Sequence, residues 1–277
     1  MDEKYNKEVT LLADNKYALN KYVMIHTVEM CKTNPTLIDA IKNTKEKQFV
    51  LYEDEELDQV CDGPTTNIIV SKKRSLEAAK AYKGKKVAVL NFANNHSVGG
   101  APYSSNAQEE SLCRESTLYE CLKKEQESFY KKHQIDFDEG KLDYWGNGDL
   151  IYSPDVTVFK EDSGRPVLLK EEDWFKVDII TLAAPECNRF HGGNADDYVE
   201  KVLPRVKQLF SVAKQQGVEV LILGAWGCGA FRNPPKHIAE VFKYCSLLYH
   251  FDTIEFAIYC KDWETSNYET FKKVFDK

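Results

Sequence analysis

Residues 87–122 read VAVLNFANNHSVGGAPYSSNAQEESLCRESTLYECL. Val87 to Leu90 is short, β-branched and apolar, which predicts a buried strand. Asn91 to Asn106 is rich in Asn, Ser and Gly and holds one Pro, the composition of a loop. Glu109 and Glu110 then open a helical pattern that runs to Leu122. In it Leu112, Tyr119 and Leu122 can share a face, and Leu118 and Leu122 stand one turn apart. A strand, a glycine-bearing loop and a helix start, in that order, can hold an anion. The loop amides and the unpaired N–H groups of the helix point at one spot. The two acids admit two readings: caps for a helix end that favours negative charge, or a general acid beside a bound phosphate. Adjacent helical residues point about 100° apart, so the two carboxylates cannot do the same job.

The strand–loop pattern recurs downstream. Val218 to Leu223 has no polar break after Glu219 and is predicted as a strand buried on both faces. The glycine-bearing run up to Phe231 follows it. Around these two units, residues 1–47 read as helix in two pieces parted by Thr33-Asn34-Pro35. Glu53-Asp54-Glu55-Glu56 reads as a solvated acidic loop rather than a metal site. Asn67 to Ser71 is a strand, and Ser75 to Tyr82 a helix with Ser75 as N-cap and Gly84 beyond its end. Residues 124–148 read as a helix tail and an insertion, Leu150 to Lys160 as extended, and Val177 to Ala184 as a strand. Ala195 to Gln216 is a long helix with Tyr198, Val202, Val206, Leu209 and Val212 on one side, ended by Gly217. Pro235 to Tyr249 is a helix and Thr253 to Tyr259 a closing strand. Such alternation implies an α/β fold whose mostly parallel or mixed sheet carries helices on both faces. Ligands of such sheets bind beyond the carboxyl ends of the strands. Both glycine loops take that position, and two phosphate cradles side by side suit a diphosphate.

Composition narrows the function classes. The chain has 277 residues, 43% hydrophobic and 29% charged, with a net charge of −7. That suits a soluble domain with a substantial core and speaks against a general nucleic-acid binder, which wants a basic face. No direct DNA binding is expected. None of the eight cysteines makes a C-x-x-C pair, and the six histidines show no metal spacing. The charged start MDEKYNKEVT is no signal peptide, and no apolar run reaches the length of a membrane span. The expectation is a reducing, cytoplasmic setting, or a nuclear one in a eukaryote, with no metal, cofactor or membrane partner.

The run Asn91-Phe92-Ala93-Asn94, then Gly99-Gly100-Ala101, six residues, and Gln108-Glu109-Glu110 resembles the signature of bacterial-type poly(ADP-ribose) glycohydrolases. That signature is three glycines, a short spacer and Gln-Glu-Glu on a macrodomain. Leu223 to Phe231, followed by Asn233-Pro234-Pro235, resembles the family's second phosphate loop. The resemblance covers roughly residues 65–260, and two motifs in the right order are more specific than either alone. One departure is Ala101, where the family has its third glycine. The resemblance implies a three-layer α/β/α macrodomain with a mixed central sheet, occupying residues 66–277, and an N-terminal helical extension over 1–65 packed on it. It implies hydrolysis of ribose–ribose O-glycosidic bonds in poly(ADP-ribose), on the polymer or on ADP-ribosylated proteins, releasing ADP-ribose. Glu110 would be the general acid and base, and Glu109 would position the ribose. Asn94 would orient the distal ribose. Gly99, Gly100, Ala101 and Gln108 would line the first loop, and Gly227, Cys228, Gly229, Ala230 and Phe231 the second, with Phe231 against the ribose. Asn94 and Phe231 also suit a turn and the core, respectively. Cys228 lies between glycines with no nearby His in sequence, which disfavours a nucleophile. Phe92, Phe159 and Tyr103 compete for the adenine pocket without a ranking.

Three alternatives belong beside this reading. A macrodomain that reads ADP-ribose without cleaving it would need neither glutamate. A hydrolase of mono-ADP-ribosyl proteins would use the same motifs. An NAD enzyme would want the G-x-G-x-x-G fingerprint, which the first loop lacks.

Overall fold

The computed structural model describes residues 2–53, 65–189 and 195–276. Asp54 to Glu56 of the acidic run, Cys61 and His191 lie outside these residues. In chain order the elements are α1 (Asp2–Leu11), α2 (Lys16–Thr33), α3 (Pro35–Lys47), β1 (Phe49–Leu51), β2 (Asn67–Ser71), α4 (Ser75–Lys80) and β3 (Val87–Phe92). Then follow α5 (Gln108–Glu115), α6 (Leu118–Leu122), α7 (Lys132–Asp138), β4 (Leu150–Val158), β5 (Phe175–Leu182), α8 (Ala195–Gln215), β6 (Val220–Leu223), α9 (Pro235–Leu248), β7 (Thr253–Ala257) and α10 (Ser266–Phe275). A π-helical stretch over Gln126–Lys131 leads into α7.

The seven strands form one sheet in the order β1-β4-β5-β3-β6-β7-β2. From β5 to β2 every pairing is parallel, and β4 and β1 close the other edge antiparallel. Period-two alternation sends each strand's side chains to two cores. Ala88 and Leu90 join Leu221, Leu223, Ile254 and Phe256 under α8, α9 and α10. Val87 and Val89 join Ile179, Val220 and Ile222 under α4, α5 and α6. Three α/β/α layers result, with the mixed sheet that the sequence led us to expect. Helices α1 to α3 add smaller apolar clusters outside α5 and α6, through Tyr5, Val9, Leu19 and Val23 and through Cys31, Leu37, Ile41, Cys121 and Phe159.

Several boundaries differ from the sequence reading. Residues 2–47 form three helices, because a turn at 12–15 interrupts the first piece and Asn15 caps α2 by accepting from Ala18 N–H. Asn34 does cap α3, with Pro35 in its first turn. Arg74, not Ser75, holds the N-cap position of α4, and the Ser75 hydroxyl accepts from Gln108 Nε2 instead. The helix expected from 108 to 123 breaks at Ser116. There Thr117 N–H donates to Thr157 O, Phe159 and Lys160 N–H donate to Glu115 O, and Ser116 bridges Val158. Tertiary pairing with β4 takes the carbonyls that a continuous helix would need. The strand read as closing, β7, is interior, between β6 and β2. Strand β1 and helix α10 were not foreseen.

Candidate active site

Strands β3 and β6 are direct parallel neighbours, so the loops at their carboxyl ends lie side by side. The carboxyl ends of β7 and β2 continue the row. They enclose a cavity of roughly 500 Å³, within the usual range for small-molecule sites. Asn94, Gln108, Glu109, Glu110, Gly227, Gly229, Ala230 and Phe231, all candidates of the sequence reading, line it. Arg74, Ser75, Asp162, Ile258, Tyr259 and Asn267 line it as well and were missed.

Helix α5 enters the site at its first turn, held there by Gln108. The Gln108 amide accepts from Phe92 N–H at 2.9 Å and donates to Leu90 O at 2.8 Å, tying the helix start to the end of β3. Glu109 and Glu110 are both buried, 2% and 7% exposed, yet their partners differ. Glu109 accepts from Asn94 N–H at 2.7 Å on one oxygen and from Asn91 Nδ2 at 3.2 Å on the other. Glu110 accepts from Ala101 N–H at 3.0 Å through Oε1, while Oε2 has no hydrogen-bond partner. Burial raises the Glu109 pKa to about 8, and the Asn94 and Asn91 donors oppose that rise without cancelling it.

The glycines make room for these carboxylates. Gly100 sits at φ +64, and a Cβ there would stand 2.5 Å from Glu110 Oε1 and 3.1 Å from Glu109 Oε2. A Cβ on Gly99 would meet Cys113 Sγ at 2.7 Å, so that glycine lets the loop close on α5. Ala101 keeps ordinary backbone, since Asp155 and Arg232 are the described non-glycine residues with positive φ. Its methyl is exposed. Gly99, Gly100 and Ala101 stand behind the cavity wall and shape it through α5. The Asn94 side chain turns back into its own loop, accepting from His96 and Ser97 N–H at 2.8 Å each.

The second loop hangs on Asn233, which is 2% exposed. Its amide donates to Pro185 O at 2.7 Å and Gly227 O at 3.0 Å and accepts from the Tyr198 hydroxyl at 2.6 Å. Gly227 lies at φ +70, where a Cβ would come within 2.4 Å of Asn233 Nδ2 and 2.5 Å of Ala184 Cβ. Gly229 faces open space. Phe231 is half-buried, packed against the core and lining the cavity at once. Cys228 is not in the cavity wall. Burial pushes its thiol up to about 12, so it stays protonated at neutral pH and makes no nucleophile.

Beyond the second loop the wall turns aromatic and cationic. The Arg74 guanidinium lies over the Tyr259 ring at 4.0 Å and approaches Asp162 at 4.0 Å, while Asp162 caps α4 by accepting from Leu76 N–H at 2.7 Å. Of the three aromatics left unranked, Phe92 lines the cavity, Phe159 is fully buried beside Trp174, and Tyr103 is exposed outside it. Tyr259, half exposed at the end of β7, carried no sequence signal beyond its place after a strand. Arg74 and Ser75 had the same one, following β2.

The model of the family described as "Microbial-type PARG, catalytic domain" matches residues 8–161, more than half of the chain. The solved structure of poly(ADP-ribose) glycohydrolase from Thermomonospora curvata superposes with a TM-score of 0.82 at 28% identity, over 92% of this chain and 99% of that one. The same enzyme bound to the inhibitor ADP-HPD gives 0.76 at 26% identity, over 92% and 98%. The Deinococcus radiodurans enzyme in complex with ADP-ribose gives 0.71 at 24% identity, over 85% and 96%, a likeness of fold. No curated protein matches the chain.

Proposed function

The chain belongs to the microbial-type PARG family, the poly(ADP-ribose) glycohydrolases, and from that premise we propose that Glu110 delivers the proton that cleaves the ribose–ribose bond. One observation carries the assignment: Glu110 Oε2 has no partner in the protein, while both oxygens of Glu109 already accept hydrogen bonds. The ADP-ribose unit at the end of a polymer lies along the row of strand ends, its diphosphate between the two glycine loops. Glu110 protonates the oxygen leaving the anomeric carbon, and positive charge develops on the ribose as an oxocarbenium ion. The resulting carboxylate then takes a proton from the attacking water. Glu109, mostly protonated at neutral pH with its pKa near 8, holds a ribose hydroxyl. Tyr259, backed by Arg74, offers a flat face for the base.

The raised pKa of Glu109 favours a second reading, in which that residue is the acid. Two substitutions separate them. Glu110→Gln keeps the shape and the bond from Ala101 but has no proton to give, so kcat on labelled polymer falls by about 10² to 10⁴ while ADP-ribose still binds. Glu109→Gln falls less, because an amide still bonds a hydroxyl. The reverse order moves the acid to Glu109, and full activity in both variants removes the hydrolase mechanism. No described helix is long and apolar enough to cross a membrane, and we place the enzyme in the cytoplasm, acting on polymer or on ADP-ribosylated proteins.

A further inference from the structure

The loop between Gly100 and Gln108 has few contacts of its own. Its internal bonds include Ser104 and Ser105 N–H to Ala101 O. It is fixed from outside by two buried side chains. Asn20, on α2 and 5% exposed, directs its amide nitrogen at Ser104 O and Ser105 O, both at 3.1 Å, and at Asn106 Oδ1 at 2.9 Å. Arg114, on α5 and 3% exposed, donates through Nη1 to Pro102 O at 2.9 Å and Ser105 O at 2.8 Å. Two turns along α2 from Asn20, the Thr27 hydroxyl meets Arg114 O at 2.5 Å, on the helix that carries the carboxylates. Helix α2 therefore grips both the loop and α5.

We infer that Asn20 is a positioning residue for the cleavage reaction. By fixing the carbonyls of Ser104 and Ser105, it fixes where Ala101 presents the N–H that Glu110 Oε1 accepts, and where Ser105, Asn106 and Ala107 form the cavity wall. The inference rests on Glu110 being the acid. Removing the amide leaves Ser104 O and Asn106 Oδ1 without this donor and Ser105 O with Arg114 alone, and lets the loop drift. A drift of about 1 Å near a reacting centre costs on the order of 10²-fold in rate.

The test uses the full chain with Asn20→Ala and Asn20→Asp. The second keeps the shape and replaces the donor with a carboxylate facing three oxygens. Measured against labelled polymer, both variants should lose about tenfold to 10²-fold in kcat, Asn20→Asp more than Asn20→Ala, with ADP-ribose Kd changed less than about threefold. Asn20→His, which restores an N–H donor, should recover part of the rate. Folded variants with parental kcat overturn the inference. So does a loss that merely tracks the unfolded fraction, or failure of every variant to fold, since either makes Asn20 a stability residue. An inactive parent protein fails the glycohydrolase reading itself, a result separate from any of these.

Discussion

At the scale of single residues, Gly100 and Ala101 stand next to each other under opposite constraints. Gly100→Ala would drive a methyl into Glu110 Oε1 at a backbone angle that L-residues avoid. We expect it to displace the carboxylate and cost at least about 10²-fold in kcat/KM, with the protein still folded by circular dichroism. Ala101→Gly removes an exposed methyl from ordinary backbone, so kcat/KM should change by less than about tenfold, roughly 1.4 kcal/mol. Glu109 gives a pH prediction. Its pKa rises from 4.5 to about 8 on folding, so the folded state keeps a proton that the unfolded chain releases. That contribution to stability is complete below pH 4.5 and is lost as pH rises through 8. The Tm should therefore fall between pH 5 and 8, and Glu109→Gln should flatten the fall. An unchanged slope in the variant would mean that this carboxyl ionises freely despite its burial. The carboxylates and glycines of this site were legible because the sequence clusters them. Asn20 and Asp162 were not, since each acts across a long stretch of sequence, and Arg114, which reaches back only to Pro102 and Ser105, looks like an ordinary helix residue until the chain is folded.

At the scale of elements, the second loop depends on one clamp. Asn233→Ala strips the side-chain partner from Pro185 O and the Tyr198 hydroxyl and leaves Gly227 O only the backbone N–H of residue 233. Buried groups left this way cost about 1–3 kcal/mol, a Tm loss of several degrees. The misplaced Gly227 turn should weaken ADP-ribose binding in an isothermal titration. Parental affinity in a folded Asn233→Ala protein would detach that loop from the ligand. Long periodic elements such as α8 and β6 read directly from sequence. The break in α5 did not, because Ser116 and Thr117 are tolerable helix residues and only the partner strand shows why they leave the helix. Strand β1 escaped because three residues, Phe49 to Leu51, carry no measurable alternation. Helix α10 had a usable signal in Tyr268, Phe271, Val274 and Phe275, which pack on the core.

At the scale of the whole molecule, the charge argument meets the geometry of the cavity. Arg74 is the one Lys or Arg in the described cavity wall, and Asn94, Ser105, Asn106, Gly227, Gly229 and Ala230 line it near the two loops. ADP-ribose affinity should fall less than about tenfold across a tenfold rise in salt. A steeper fall would assign the diphosphate to lysine and arginine side chains. The cavity also draws on strand ends that are far apart in the chain, at β2, β3, β6 and β7. Both glutamates lie within residues 1–161, but in that fragment β3 would lack β5 and β6, its neighbours on either side. A gene truncated at that point should make no crippled enzyme and no surviving reader of ADP-ribose, only a chain without cooperative unfolding. Recognition and cleavage are inherited together, and a single early stop codon removes both.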